Sequence, residues 1–138
     1  MIPKEIKPKH LNLISKDTLI SHLKIEFTKV GEDFIEAKMP VNETTFQPMG
    51  LLHGGASVAL AETVGSSGSH LMIDSKTHFA VGIEINANHV GSAHNGFVHA
   101  NGKIIHKGRS THIWNIEIKD DNAKMISICR LTMMILER

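Results

Sequence analysis

Little in this sequence points to a stapled, secreted or membrane-spanning chain. Cys129 is its single cysteine, which excludes an internal disulfide framework and fits a reducing compartment. No run of 18 apolar residues occurs, so no stretch has the length of a membrane-spanning helix. The first residues, MIPKEIKPKHLNLISK, carry charge and proline and lack the apolar stretch of a signal peptide, so a cytoplasmic chain is expected. Net charge is scarce too. Fifteen Lys and Arg against fourteen Asp and Glu leave +1, which gives no bulk attraction to nucleic acid or to an acidic membrane. A small-molecule partner is expected instead. The ten histidines form no HExxH and no pattern with cysteine. His94 with His99, and His106 with His112, are loose pairs that would each need a third ligand, so no metal is expected.

What is present fits one domain over residues 1–138, large enough to bury roughly two thirds of the surface its unfolded chain exposes. Residues 1–16 read as an extended arm, after which Asp17 or Thr18 can cap a short helix ending near Leu23. Ile25 to Val30 and Phe34 to Val41 flank Gly31, Glu32 and Asp33. In the second run Ile35, Ala37, Met39 and Val41 alternate with Glu36, Lys38 and Pro40, the pattern of a half-buried hairpin. A polar loop follows from Asn42 to Gly50. The period then changes in GLLHGGASVALAETVGSSGSHLM, where Ala56, Ala59, Leu60, Thr63 and Val64 share one side of a helix. Gly55, Glu62, Ser66 and Ser69 lie along another.

Beyond the helix the period returns to two, with Phe79, Val81, Ile83, Ile85 and Ala87 on one face of a long strand. GSAHNG marks a turn before a strand from Phe97 to Lys107. Trp114, Ile116 and Ile118 share a face of the next, Thr111 to Lys119, and Lys124 to Leu136 supply the last. Strand, strand, long helix, then further long strands leave too few helices for parallel crossovers. An α+β fold is expected, an antiparallel β-sheet wrapped around one long central α-helix.

The chemistry concentrates in FQPMGLLHGGASVALAETVGSSG, where Gln47 and His53 precede the helix start and Glu62 lies about two turns inside it. A lone helix glutamate is more often simply solvated. Yet Val58, Ala59, Ala61, Val64 and Gly65 give Glu62 no lysine or arginine one turn away, so this is not a salt-bridged surface. Gly54 and Gly55 stand where backbone N–H groups lack helical partners, and with the positive end of the helix dipole they can hold an oxyanion. The same glycines also suit nothing more than a tight loop-to-helix turn. No GxSxG elbow accompanies the HGG, which removes the lipase reading. Lys107 and Arg109 suit phosphates as a point charge and a bidentate fork, or are a solvated pair at a turn.

QPMGLLHGGASVALAETVGS, with VGIEINANH and HKGRSTHIW downstream, resembles the hotdog-fold thioesterases that hydrolyse aromatic and related acyl-CoAs. The likeness covers roughly residues 18–136. It implies Glu62 as nucleophile or general base and Gly54 as the backbone donor polarising the thioester carbonyl. Gln47 and His53 would orient the thioester, and Ser66 would position the attacking water or the acyl group. It implies contacts to substrate or coenzyme A from Gly55, from His89, Val90, Gly91 and Ser92, and from His106, Lys107, Gly108, Arg109, Ser110 and Thr111. Val90, Gly91 and Ser92 stand where several members carry a basic residue and a proline. No cofactor is implied beyond the coenzyme A of the substrate.

The eight residues from Gly54 to Glu62 span about 12 Å of helix, whereas a thioester carbon must lie roughly 3 Å from both groups. The two must therefore come from different copies of the helix. The resemblance agrees, implying a homodimer with shared sites, paired into a homotetramer. A hotdog hydroxyacyl-thioester dehydratase and a non-catalytic acyl-CoA binding module are the rival readings.

Overall fold

In the computed structural model, which describes residues 1–138, apolar–polar alternation becomes strand and the small-residue segment becomes helix. The elements in order are α1 (Pro8–Ile14), α2 (Leu19–His22), β1 (Glu26–Val30), β2 (Phe34–Pro40), α3 (Gly54–Leu71), β3 (His78–His89), β4 (Phe97–Lys107), β5 (Thr111–Asp120) and β6 (Met125–Glu137). The six strands form one sheet in the order β1-β2-β4-β5-β6-β3, every neighbouring pair antiparallel. β3 skips to the far edge, and the connection that carries the chain there contains α3. The outward side of β3 is left without a partner strand.

The sheet's inner face supplies the core. Ile35, Met39, Val98, Trp114, Ile116, Ile118, Leu131 and Met133 are all essentially inaccessible, as are Leu60, Ala61 and Val64 of α3. Small residues let the helix lie close. A β-carbon on Gly65 would stand 2.6 Å from Leu131 Cδ2, and one on Gly68 would enter the Trp114 ring. No helix is long and apolar enough to cross a membrane.

Three expectations are corrected. Residues 1–16 are not an extended arm, since they contain α1. Pro8 opens that helix with its φ already suited to the first turn. Leu11 and Ile2 are buried, and Asn12 both accepts from Phe27 N–H (2.8 Å) and donates to Phe27 C=O (3.0 Å). A seven-residue helix is too short to form unaided, so docking against β1 holds it. Second, Ser69 belongs to the buried face of α3, whereas Ala56, Ala59 and Thr63 are only half-buried beside Glu62 and Ser66. Third, the alternation of β3 is broken by an irregularity between Gly82 and Glu84, where two residues advance against one of β6. The extra residue shifts the phase, so Ile83 is half exposed while Ala80 is buried.

Candidate active site

The entry to α3 is built by a small hairpin. Phe46 bridges Leu52, Gln47 N–H donates to Leu51 C=O (2.8 Å) and His53 N–H to Thr45 C=O (2.8 Å). The tip turns at Gly50, whose φ of 76° suits a residue without a β-carbon. Gln47 and His53 thus sit on opposite arms. The Gln47 side-chain oxygen folds back to accept from Met49 N–H.

His53 is the N-cap of α3, and its Nδ1 accepts from Gly55 N–H at 2.8 Å. In the neutral ring that leaves the proton on Nε2, a donor facing outward. Ala56 and Ser57 N–H both donate to His53 C=O, at 3.0 and 3.2 Å. Of the first-turn donors, Gly54 N–H alone makes no hydrogen bond within the subunit. It is a free donor at the positive end of an 18-residue helix. The His89 ring lies over Gly54, where a β-carbon would meet Nε2 at 2.6 Å. Its other nitrogen, Nδ1, is held 3.0 Å from the hydroxyl of buried Ser127.

Two turns further along α3, Glu62 is half-buried beside the helix face that packs into the core, with its carboxylate against Gly82 of β3. Its carboxylate has no hydrogen bond and no ion pair within the subunit. It lines an open pocket of about 310 Å³ with Leu19, Ile20, Ala59, Thr63, Ser66 and Ser67. Sequence reasoning missed Leu19 and Ile20. Thr18 signalled the helix by its capping chemistry, and its hydroxyl does accept from Ile20 N–H at 3.2 Å. Nothing local, however, announced that α2 would wall the glutamate's pocket.

The remaining residues fall into two separated groups. His89, Val90, Gly91 and Ser92 lie at the end of β3 near the start of α3, with His89 opposite Ser127 of β6. His106, Lys107, Gly108, Arg109, Ser110 and Thr111 form the β4–β5 turn, with Thr111 opposite Met134. Seven residues of β6 separate these registers, about 23 Å of strand. One subunit therefore does not bring the two groups together.

Their surroundings differ as well. Ser92 borders a hollow that also contains Asp120 and Asp121. The Asp121 carboxyl is held below its usual range by hydrogen bonds from His99 and from Phe97 N–H, and with Asp120 it outnumbers the one lysine of the lining, Lys124. Lys107 and Arg109 border a pocket of about 270 Å³ at the other end of α3, shared with His78, His112 and Asp74, and neither cation forms an ion pair. Behind it, buried Ser69 accepts from Trp114 Nε1–H (2.8 Å) and contacts His112 Nδ1 (3.1 Å). Burial, then the electrostatic influence of Lys107 and His106, push the His112 pKa down from 6.5 to about 4. No three His, Cys, Asp or Glu side chains are grouped as a metal site requires.

Comparison with known proteins bears on this arrangement. The sequence profile of the thioesterase superfamily matches residues 49–126, which include α3 with Gly54 and Glu62. The chain is 44% identical over 126 residues to the 1,4-dihydroxy-2-naphthoyl-CoA hydrolase of Escherichia coli, covering 91% of this chain and 92% of that protein. Its structure superposes on that of a mutant thioesterase from Pseudomonas aeruginosa with a TM-score of 0.96, at 39% identity and 99% coverage of both chains. A thioesterase from Haemophilus influenzae gives 0.93 at 40% identity, covering 99% of this chain and 94% of that one.

Proposed function

The chain belongs to the thioesterase superfamily, and we propose that it hydrolyses an acyl-CoA with an aromatic or otherwise compact acyl group, using Glu62 as nucleophile or general base. That it is a thioester hydrolase of the hotdog fold follows from the family. The substrate and the residue roles are the proposal. One observation carries it: a half-buried carboxylate, free of any partner in its subunit, on the wall of a pocket beside small and hydroxyl-bearing residues. A structural glutamate in that setting would be expected to have a cation or a donor.

In the mechanism, water is deprotonated by Glu62 as its oxygen adds to the thioester carbon, and the carbonyl oxygen takes up the negative charge. Gly54 N–H and the helix dipole stabilise that oxyanion. When the carbonyl re-forms, the carbon–sulfur bond breaks, the sulfur leaves as thiolate, and the proton held by Glu62 is available to it. Direct attack by Glu62 would give an acyl-enzyme anhydride that water then cleaves, and both routes need the same carboxylate. The outward Nε2–H of His53 and the amide of Gln47 suit the thioester as donors. Ser66, one turn beyond Glu62 and on the same pocket wall, would hold the water or acyl group. Gly55 would contact substrate by close approach of its Cα, because its N–H is engaged by His53.

Gly54 and Glu62 lie too far apart on one helix to share a thioester carbon, so the site joins two subunits, and the unpaired edge of β3 suits pairing with a second copy. A two-fold arrangement also accounts for the separated coenzyme groups, since each subunit can contribute a different one to the same site. Lys107 and Arg109, unpaired and beside a pocket, are the better phosphate partners, whereas the hollow beside Ser92 is acidic. Support for an aromatic acyl group comes from the Escherichia coli relative, whose name specifies a naphthoyl thioester, and from the apolar wall formed by Leu19, Ile20 and Ala59. A thiol reagent added to the enzyme with benzoyl-, acetyl- or hexanoyl-CoA provides the test. Thiol release is expected fastest from benzoyl-CoA, while saturable binding of all three without release would overturn the hydrolase.

A further inference from the structure

We propose that Gly82, on β3, is a positioning residue for the Glu62 carboxylate, a reading that rests on Glu62 being the catalytic group. A β-carbon built on Gly82 would stand 2.6 Å from Glu62 Oε1 and 3.7 Å from its carboxyl carbon. The carboxylate therefore rests directly over the bare Cα. Within the subunit no other contact demands glycine there, since the next atom such a β-carbon would meet, Met133 Sδ, is 3.7 Å away. The φ of Gly82 is not positive, unlike those of Gly50 and Gly96, so an alanine could adopt the same backbone. In a strand interior glycine weakens the strand and buries no side chain, and it persists where another group must approach closely. Here that group is the glutamate.

The irregularity between Gly82 and Glu84 falls at the same place. It turns the extra residue, Ile83, outward and leaves the floor beneath Glu62 to the glycine. Because Glu62 makes no hydrogen bond or ion pair within the subunit, contact with this floor is what limits how far its carboxylate can sink toward the sheet.

The atom a new methyl would meet is the far end of a flexible side chain, not backbone. Glu62 can swing away, so the fold tolerates Gly82→Ala, but the carboxylate is displaced from its reacting position. Misplacement on the order of 1 Å costs up to a hundredfold in rate. Gly82→Ala is accordingly expected to lower kcat about ten- to a hundredfold with KM changed by less than about threefold. Thermal midpoint and sedimentation should match wild type.

The decisive arm uses Glu62→Asp, whose carboxylate is retracted by one methylene, about 1.5 Å, and clears the added methyl. In that background Gly82→Ala should cost less than about twofold, a non-additivity expected only of groups in contact. An equal loss in both backgrounds, no loss in wild type, or a changed association state would each overturn the role of Gly82. Only full activity of Glu62→Gln would overturn the reading of Glu62 itself. If Glu62→Asp turns over too slowly to compare, a crystal structure of Gly82→Ala decides: a carboxylate moved off residue 82 supports the proposal and an unmoved one refutes it.

Discussion

Replacing His112 by glutamine should remove a measurable part of the protein's acid sensitivity. His112 is 1% exposed, and Ser69, already accepting from Trp114 Nε1–H, can donate its own proton to His112 Nδ1. Protonating that nitrogen would reverse the hydrogen bond, take away the acceptor of the Ser69 hydroxyl proton, and place a cation in the core near Lys107 and His106. The folded-state pKa is accordingly about 4, against 6.5 for the free side chain. Above pH 6.5 the ring is neutral in both states and contributes no pH dependence. Between 6.5 and 4 the unfolded chain binds a proton that the folded chain refuses, so stability falls as pH falls. Below 4 both states are charged and the loss is complete. At roughly 1.36 kcal/mol per pH unit the window is worth up to about 3 kcal/mol. Urea unfolding at several pH values from 7.5 to 3.5 measures it. Carboxylates affect wild type and His112→Gln alike, so the difference between the two isolates the histidine. That difference should change by about 2 to 3 kcal/mol across the window. A constant difference would refute the reasoning.

Gly68→Ala should destabilise the fold by about 1 to 3 kcal/mol, because the added carbon enters the buried Trp114 ring; denaturant midpoints check this. Arg109→Ala should raise KM for acyl-CoA about tenfold with little change in kcat, since the nucleotide phosphates lie far from the reacting carbon, and should leave hydrolysis of an acyl-pantetheine without the nucleotide unaffected. Mixed dimers test the shared site. Glu62→Gln and the double variant Gln47→Ala with His53→Ala should each be nearly inactive as homodimers. Their heterodimer contains one site free of both lesions and should regain about half the wild-type activity if the sites act independently.

The fold was legible where one residue period ran through most of an element, even in β4, whose pairing with β5 slips between Ile104 and His106. β4 and β5 begin and end within a residue of their expected bounds, and α3 covers the small-residue segment. The candidate site was legible because Gln47, His53, Gly54, Glu62 and Ser66 are close in sequence and ride on one hairpin and one helix. What escaped depends on contacts across the chain. α1 is stabilised by packing and by the Asn12–Phe27 pair, neither of which is local. Ser69 reads as polar until Trp114 and His112 arrive from β5 to satisfy its hydroxyl. The phase of β3 is set by an irregularity against β6, and the alternation of Ile83 with its neighbours carries no sign of it. The two segments that the resemblance assigns to coenzyme A, 89–92 and 106–111, stand at opposite ends of the sheet. Within β3, the glycine amid alternating apolar residues was the available signal for a close approach.

The central claim is that Glu62 drives thioester cleavage, and the most direct measurement is kcat of Glu62→Gln on the best substrate of the acyl-CoA panel. Glutamine keeps the shape of the side chain and its place on the pocket wall but can neither take a proton from water nor attack the carbonyl. With circular dichroism and sedimentation matched to wild type, kcat should fall on the order of a hundredfold or more and KM should stay close to the wild-type value. A folded Glu62→Gln protein that releases thiol at near the wild-type rate would contradict the account.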